Sequence, residues 1–221
     1  MPNAPLWDAS PMSGKAARAW QRMLSGRRLD LIDPSPIDIE ISDIAHGLAR
    51  VARWNGQTKG AEIFSVAQHS LLVEALLGAL APQAAGHARL FALLHDAPEY
   101  VIGDMISPFK AVIGGDYKAI EMRLLAAIHI RFGLAPKAPS DIVALIKGAD
   151  RAAAWFEATK LAGFSTAEAQ KLFGAPNVAP SGIEVYLQPM RPAKAQEAFL
   201  RRFAELDDHP AAARSAGKRK P

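Results

Sequence analysis

The chain contains no cysteine. Disulfides, thiolate zinc sites and a cysteine nucleophile are therefore excluded, and any metal must be held by imidazole and carboxylate. No apolar run approaches the roughly 18 residues needed to cross a bilayer. The opening residues, MPNAPLWDASPMSGK, lack the basic-then-apolar pattern of a secretory signal. A cytoplasmic protein with no membrane partner is the expectation. Internal repeats are absent as well. Acidic residues are missing from residues 209–221, where Arg214, Lys218, Arg219 and Lys220 account for the whole net charge of +4. Like-charged and poor in apolar side chains, residues 208–221 read as a disordered basic tail, and nucleic acid is not expected as a partner.

The remainder is half hydrophobic and about a fifth charged, which suits one globular domain. Nearly every apolar segment repeats with a period of 3.6, so the fold class is all-α, a helical bundle. Helices are predicted over residues 14–24, 42–54, 65–80, 86–97, 116–132, 141–162, 165–174 and 192–206, with a short one opening at Ser107-Pro108. Ser42, Ser65 and Ser140 read as N-caps, and Ser65-x-x-Gln68 and Ser165-x-x-Glu168 as capping boxes. Residues 29–41 read as an extended connection and residues 183–187 as a short strand. The predicted organisation is an N-terminal extension over 1–37, the main domain over 38–207 and the tail.

The stretch FALLHDAPEYVIGDMISPFK, residues 91–110, carries the chemistry. His95 and Asp96 stand side by side behind an apolar run. Glu99 follows four and three residues later, on the same face if the helix continues that far. Gly103 permits a turn that delivers Asp104. His69 sits in the first turn of another helix, beside an apolar stripe. Asp150 lies in the apolar face of a third, where a carboxylate is costly unless paired or metal-bound. Two imidazoles and two carboxylates, His69, His95, Asp96 and Asp150, form an N/O donor set. Such a set suits one divalent transition metal, Mn, Co, Fe, Ni or Zn, better than magnesium. Arg53-Trp54, at a predicted helix end, pairs a planar fork suited to phosphate with a stacking surface. Lys110 is a candidate for a second phosphate contact, and His46 shares a predicted face with Arg53.

These motifs resemble the HD-domain phosphohydrolases, and more narrowly the bacterial 5′-deoxynucleotidase branch. The matching pieces are Arg53-Trp54, SVAQHS around His69, LLHDAPEYVIGD and KGAD ending at Asp150, spread over residues 38–155. The resemblance implies one metal on His69, His95, Asp96 and Asp150, with Arg53 on the scissile phosphate. It further implies Glu99 positioning or activating the attacking water, Asp104 by the sugar or leaving oxygen, and Trp54 favouring deoxyribose. Gln68 departs from the pattern, which commonly has Glu there, and Pro98 interrupts the catalytic stretch. The expected activity is removal of the 5′-phosphate from deoxynucleoside monophosphates. Two alternatives stand beside it: release of triphosphate from deoxynucleoside triphosphates, and a non-catalytic nucleotide-binding module. A nucleotide is the expected partner, and a homodimer is compatible with the long amphipathic helices.

Overall fold

Residues 66–80 form a helix that is mainly apolar and buried on nearly every side, polar Gln68, His69, Ser70 and Glu74 included, and such a helix is stable only when surrounded. In the computed structural model, which describes residues 19–84, 86–106, 115–176 and 180–207, this helix is the centre of a mostly helical bundle. The elements in chain order are β1 (Trp20–Arg22), β2 (Arg28–Asp30), α1 (Ile41–Leu48), α2 (Val66–Leu80), α3 (Gly86–Leu93), α4 (Glu99–Ile102), α5 (Gly115–Arg131), α6 (Ser140–Lys160), α7 (Thr166–Phe173) and α8 (Pro192–Leu206). The all-α expectation holds. None of the described helices is long and apolar enough to cross a membrane.

The packing follows from side-chain size. Ala149, Ala152 and Ala153 are buried on α6 and let its backbone lie close along α2, where Leu72, Val73, Leu76 and Leu77 complete the cluster. On the other side of α2, α1, α3, α5 and α8 meet in a second cluster holding Leu48, Leu93, Leu124 and Phe199. Phe132 and Phe203 close it edge-to-face at 4.8 Å. Glu74 of α2, buried, receives Arg89 of α3 at 2.5 Å and Arg202 of α8 at 2.8 Å. Gly78 makes room for this clamp, because a Cβ there would lie 2.7 Å from an Arg89 terminal nitrogen.

Several expected elements differ from those observed. The helix expected over 14–24 is replaced, from Trp20 on, by an antiparallel hairpin in which Trp20 faces Asp30; residues 14–18 lie outside the described residues. Gly26, at φ 87°, turns the chain, and the Asp43 carboxylate accepts the Ser25 amide at 3.0 Å and its hydroxyl at 2.5 Å. Met23 and Leu29 thereby reach the core.

The helix expected over 42–54 starts at Ile41 and stops at Leu48, without a cap from Ser42. Its continuation is pre-empted because Ala52 pairs with Ser65 as a β-bridge. The Arg53 amide then donates to the Phe64 carbonyl at 2.8 Å. His46 and Arg53 consequently share no helix face.

The helix expected over 86–97 ends at Leu93. Pro98 has no N–H to offer the Leu94 carbonyl, which takes the Ala97 amide instead at 3.0 Å, and the chain tightens into a turn. Residues 183–187 form a 3-10 turn, Ile183–Val185, rather than a strand. Their apolar alternation reflects a turn with one buried side, since Ile183 and Leu187 are buried while Val185 is exposed.

Ser165 and Glu168 make the full capping box. Ser65 accepts the Gln68 amide, but the Gln68 side chain is engaged elsewhere, and Ser140 forms no cap bond. The helix at Ser107-Pro108, the tail and Lys110 lie outside the described residues.

Candidate metal centre

Three elements meet at the candidate site. α2 supplies His69, the turn after α3 supplies His95 and Asp96, and α6 supplies Asp150. His69, His95 and Asp150 offer ligand atoms that all lie within 4.8 Å of one another, a group able to hold a metal ion. The Asp150 Oδ1 lies 3.2 Å from His69 Nε2. The Asp96 Oδ2 borders the same space, 3.4 Å from His69 Nε2 and 3.2 Å from His95 Nε2. His95 and Asp96 are aimed by the tight turn before Pro98 rather than by a helix face shared with Glu99.

The histidines are prepared for a cation. His69 Nδ1 is 2.6 Å from Glu157 Oε1, and His95 Nδ1 is 2.8 Å from the Ala92 carbonyl. Both partners are acceptors, so Nδ1 of each ring donates and Nε2 is the atom turned to the cluster, where a cation would take its lone pair in place of a proton. Both Nε2 atoms are buried and make no well-aligned hydrogen bond, the nearest groups being the Asp150 and Asp96 oxygens at 3.2–3.4 Å. Such atoms are costly unless a ligand occupies the space they face.

The electrostatics agree. Burial and the nearby Arg53 both oppose a charge on His69, yet the carboxylates of Glu157, Asp150 and Asp96 carry its pKa well above the ordinary value. Burial favours the neutral acid at Asp96, but the imidazoles of His95 and His69 hold it well below the usual carboxylate range. Asp150 is likewise lowered against partial desolvation, chiefly by His69, although its side chain is 44% exposed. Carboxylates gathered around imidazole demand positive charge at this point.

Arg53 and Trp54 follow the bridge between Ala52 and Ser65. Trp54 and Asn55 both adopt left-handed backbone, φ 56° and 50°, which is rare for a bulky residue and marks a position held in place by its surroundings. What holds Trp54 is Glu157, whose Oε2 accepts the indole Nε1–H at 2.8 Å. The same oxygen takes Arg53 through Nε and Nη2, each at 3.3 Å, while Asp104 Oδ2 takes Arg53 Nη1 at 3.4 Å. Burial opposes the Arg53 charge, but Glu157 and Asp104 outweigh it and raise the pKa.

A pocket of about 630 Å³ opens over this group, lined by Arg53, Trp54, Asp96, Glu99, Asp104 and Asp150 among others. Glu99 is buried at its wall. Phe164 and Phe173 line it too and pack on Trp54, with ring centroids 5.6 and 5.9 Å away.

The structure thus brings together Arg53, Trp54, His69, His95, Asp96, Glu99, Asp104 and Asp150, and leaves His46 on no helix face shared with Arg53. Glu157, Phe164 and Phe173 were missed. Glu157 had a signal, since it follows Asp150 by seven residues, two helical turns, and so lies on the same face of α6. Gln68, beside His69, has a structural task of its own. Its amide donates to the Gln188 carbonyl at 2.7 Å and accepts the Met190 amide at 3.0 Å, a pair of roles that a carboxylate cannot fill.

No family model matches the chain. It is 57% identical over 190 residues to an uncharacterized protein of Rhodobacter capsulatus, an alignment covering 86% of this chain and 96% of the relative. The chain belongs to that protein's family. At this identity the shared stretch spans nearly the whole relative.

Proposed function

We propose that the protein is a metal-dependent phosphohydrolase acting on nucleotides, removing the 5′-phosphate of deoxynucleoside monophosphates. The observation that carries this reading is the convergence of the buried Nε2 atoms of His69 and His95 with Asp96 and Asp150, beside a pocket that also contains Arg53. The pocket volume falls within the roughly 300–1,000 Å³ range of small-ligand sites. A divalent cation bound by His69, His95, Asp96 and Asp150 would polarise a phosphoryl oxygen and lower the pKa of a water toward about 7. The mixed N/O donor set favours Mn, Co, Fe, Ni or Zn.

The chain's own residues supply the rest. Arg53, held charged by Glu157 and Asp104, neutralises the phosphate. Glu99 accepts the proton of the attacking water. As the water oxygen bonds to phosphorus, the bond from phosphorus to the 5′-oxygen breaks. That oxygen leaves with the proton that Glu99 took from the water, giving nucleoside and orthophosphate. Asp104 holds Arg53 through Nη1 and is assigned to the sugar or leaving oxygen. Trp54 packs against the sugar.

A second reading, hydrolysis of deoxynucleoside triphosphates with release of triphosphate, has one observation in its favour. Arg151, next to Asp150, lines the same pocket and would meet additional phosphates. The test is product analysis on metal-stripped protein reloaded with Mn, Co or Zn and given deoxynucleoside mono- and triphosphates. Orthophosphate and nucleoside from monophosphates alone is the expected result. Nucleoside with intact triphosphate would replace it by the second reading. Tight nucleotide binding without turnover under any metal would refute both and leave a binding module.

A further inference from the structure

His69 lies between two carboxylates of one helix. Asp150 Oδ1 is 3.2 Å from its Nε2, and Glu157 Oε1 is 2.6 Å from its Nδ1. The seven-residue separation puts both acids on one face of α6. Between them on that face stand Ala153 and Ala154, with nothing beyond Cβ to obstruct the imidazole. Glu157 is fully buried, and its two oxygens serve different neighbours. Oε1 takes His69; Oε2 takes the Trp54 indole and two nitrogens of Arg53.

We propose that Glu157 is a positioning residue that holds the metal ligand His69 on one carboxylate oxygen and the pair Arg53 and Trp54 on the other, setting the cation site and the phosphate site as one unit. The phosphate half rests on the function proposed above; the cation half does not.

The geometry makes Glu157 hard to replace. All of its contacts are N–H donors, and only a carboxylate presents acceptors on both sides. An amide has one acceptor face and one donor face. In Glu157→Gln the carbonyl turns to the larger donor group, Arg53 and Trp54. The NH₂ then faces His69 Nδ1, which must become an acceptor. That moves the imidazole proton to Nε2 and removes the lone pair aimed at the cation. Partners of this kind are typically worth about 10–100-fold in metal affinity.

The experiment uses the full chain, Co²⁺ as the metal probe and orthophosphate as the anion probe. In Glu157→Gln with the helical circular dichroism of the parent, Co²⁺ affinity, followed by visible absorption, is expected to fall about 10–100-fold. At saturating Co²⁺, orthophosphate affinity is expected to stay within about threefold of the parent, since Arg53 and Trp54 keep their acceptor. Co²⁺ affinity within about twofold of the parent, in a folded variant, would overturn the proposal, because losing a partner that orients a metal ligand changes affinity far more. Should the variant not fold, ¹⁵N-histidine NMR of the zinc-loaded parent replaces it. His69 is expected to carry a proton on Nδ1 and to bind through Nε2; a bare or metal-bound Nδ1 would overturn the proposal. Neither readout uses turnover, so failure to hydrolyse nucleotides would sink the functional reading and leave the cation half of this one standing.

Discussion

Gly47 of α1 lies against the backbone of Tyr100 in α4. A Cβ at position 47 would sit 2.8 Å from Tyr100 Cβ, 2.8 Å from its carbonyl oxygen and 3.0 Å from its Cα. Two of these atoms are main chain and the third is attached to it, so no rotamer change relieves the overlap. Overpacking of this kind costs about 1–3 kcal/mol. Against it stands a helix-propensity gain of about 1 kcal/mol for Gly→Ala. Gly47→Ala should therefore lose up to about 2 kcal/mol of stability, read from urea denaturation followed by circular dichroism.

Gly148→Ala is the matched control. It lies mid-helix in α6 with only Leu80 Cδ1 at 4.0 Å from the added Cβ, so it should gain up to about 1 kcal/mol. Because α4 carries Glu99 and leads into Asp104, the shift forced by the methyl group of Gly47→Ala should also reduce turnover, by up to about 100-fold if reacting groups move by an ångström. Gly47→Ala at or above the parent's stability, with Gly148→Ala behaving as expected, would refute the close approach of α1 and α4.

Three further outcomes are expected. Glu74→Ala strips Arg89 and Arg202 of their shared carboxylate and should cost about 2 kcal/mol, below the range for fully buried pairs because both arginines are partly exposed; a loss under about 0.5 kcal/mol in urea titration would contradict the clamp. Burial lowers the His129 pKa from 6.5, with the Pro136 carbonyl only partly opposing. The folded state therefore resists a proton that the unfolded chain accepts, and stability present above pH 6.5 is lost as pH falls toward the folded value. His129→Gln should show a smaller difference in stability between about pH 7.5 and 5.5 than the parent, and an equal difference would count against this account. Asn55→Val places a β-branched residue at φ 50° and should cost about 1–2 kcal/mol, whereas Asn55→Gly should be neutral or stabilising by thermal melts.

The sequence was most legible where one local signal sufficed. The Ser65 cap with the apolar stripe that follows it, and the Ser165 box, each named their element without outside help. His69, His95, Asp96 and Asp150 stood out because ligand-type side chains in apolar surroundings require an explanation. What escaped depends on distant partners. The hairpin at Trp20–Asp30 is fixed in part by Asp43, 18 residues from Ser25. The end of α1 is set by the pairing of Ala52 with Ser65, and that pairing, not a helix terminus, aims Arg53 and Trp54. Glu157 resembled any mid-helix charge until its seven-residue distance from Asp150 was joined to the position of His69. Phe164 and Phe173 gave no sign, since their meeting with Trp54 is purely tertiary.

The central claim is a metal site whose chemistry is separable from the buried acid beside it. Its most direct test is metal content and orthophosphate release measured together, in metal-stripped protein, in protein reloaded with Co²⁺ or Mn²⁺, and in Glu99→Ala. The account predicts that stripped protein releases nothing from deoxynucleoside monophosphates, that reloaded protein does, and that Glu99→Ala binds its metal without turnover. Hydrolysis by fully stripped protein, or a Glu99→Ala variant that no longer holds metal, would contradict it.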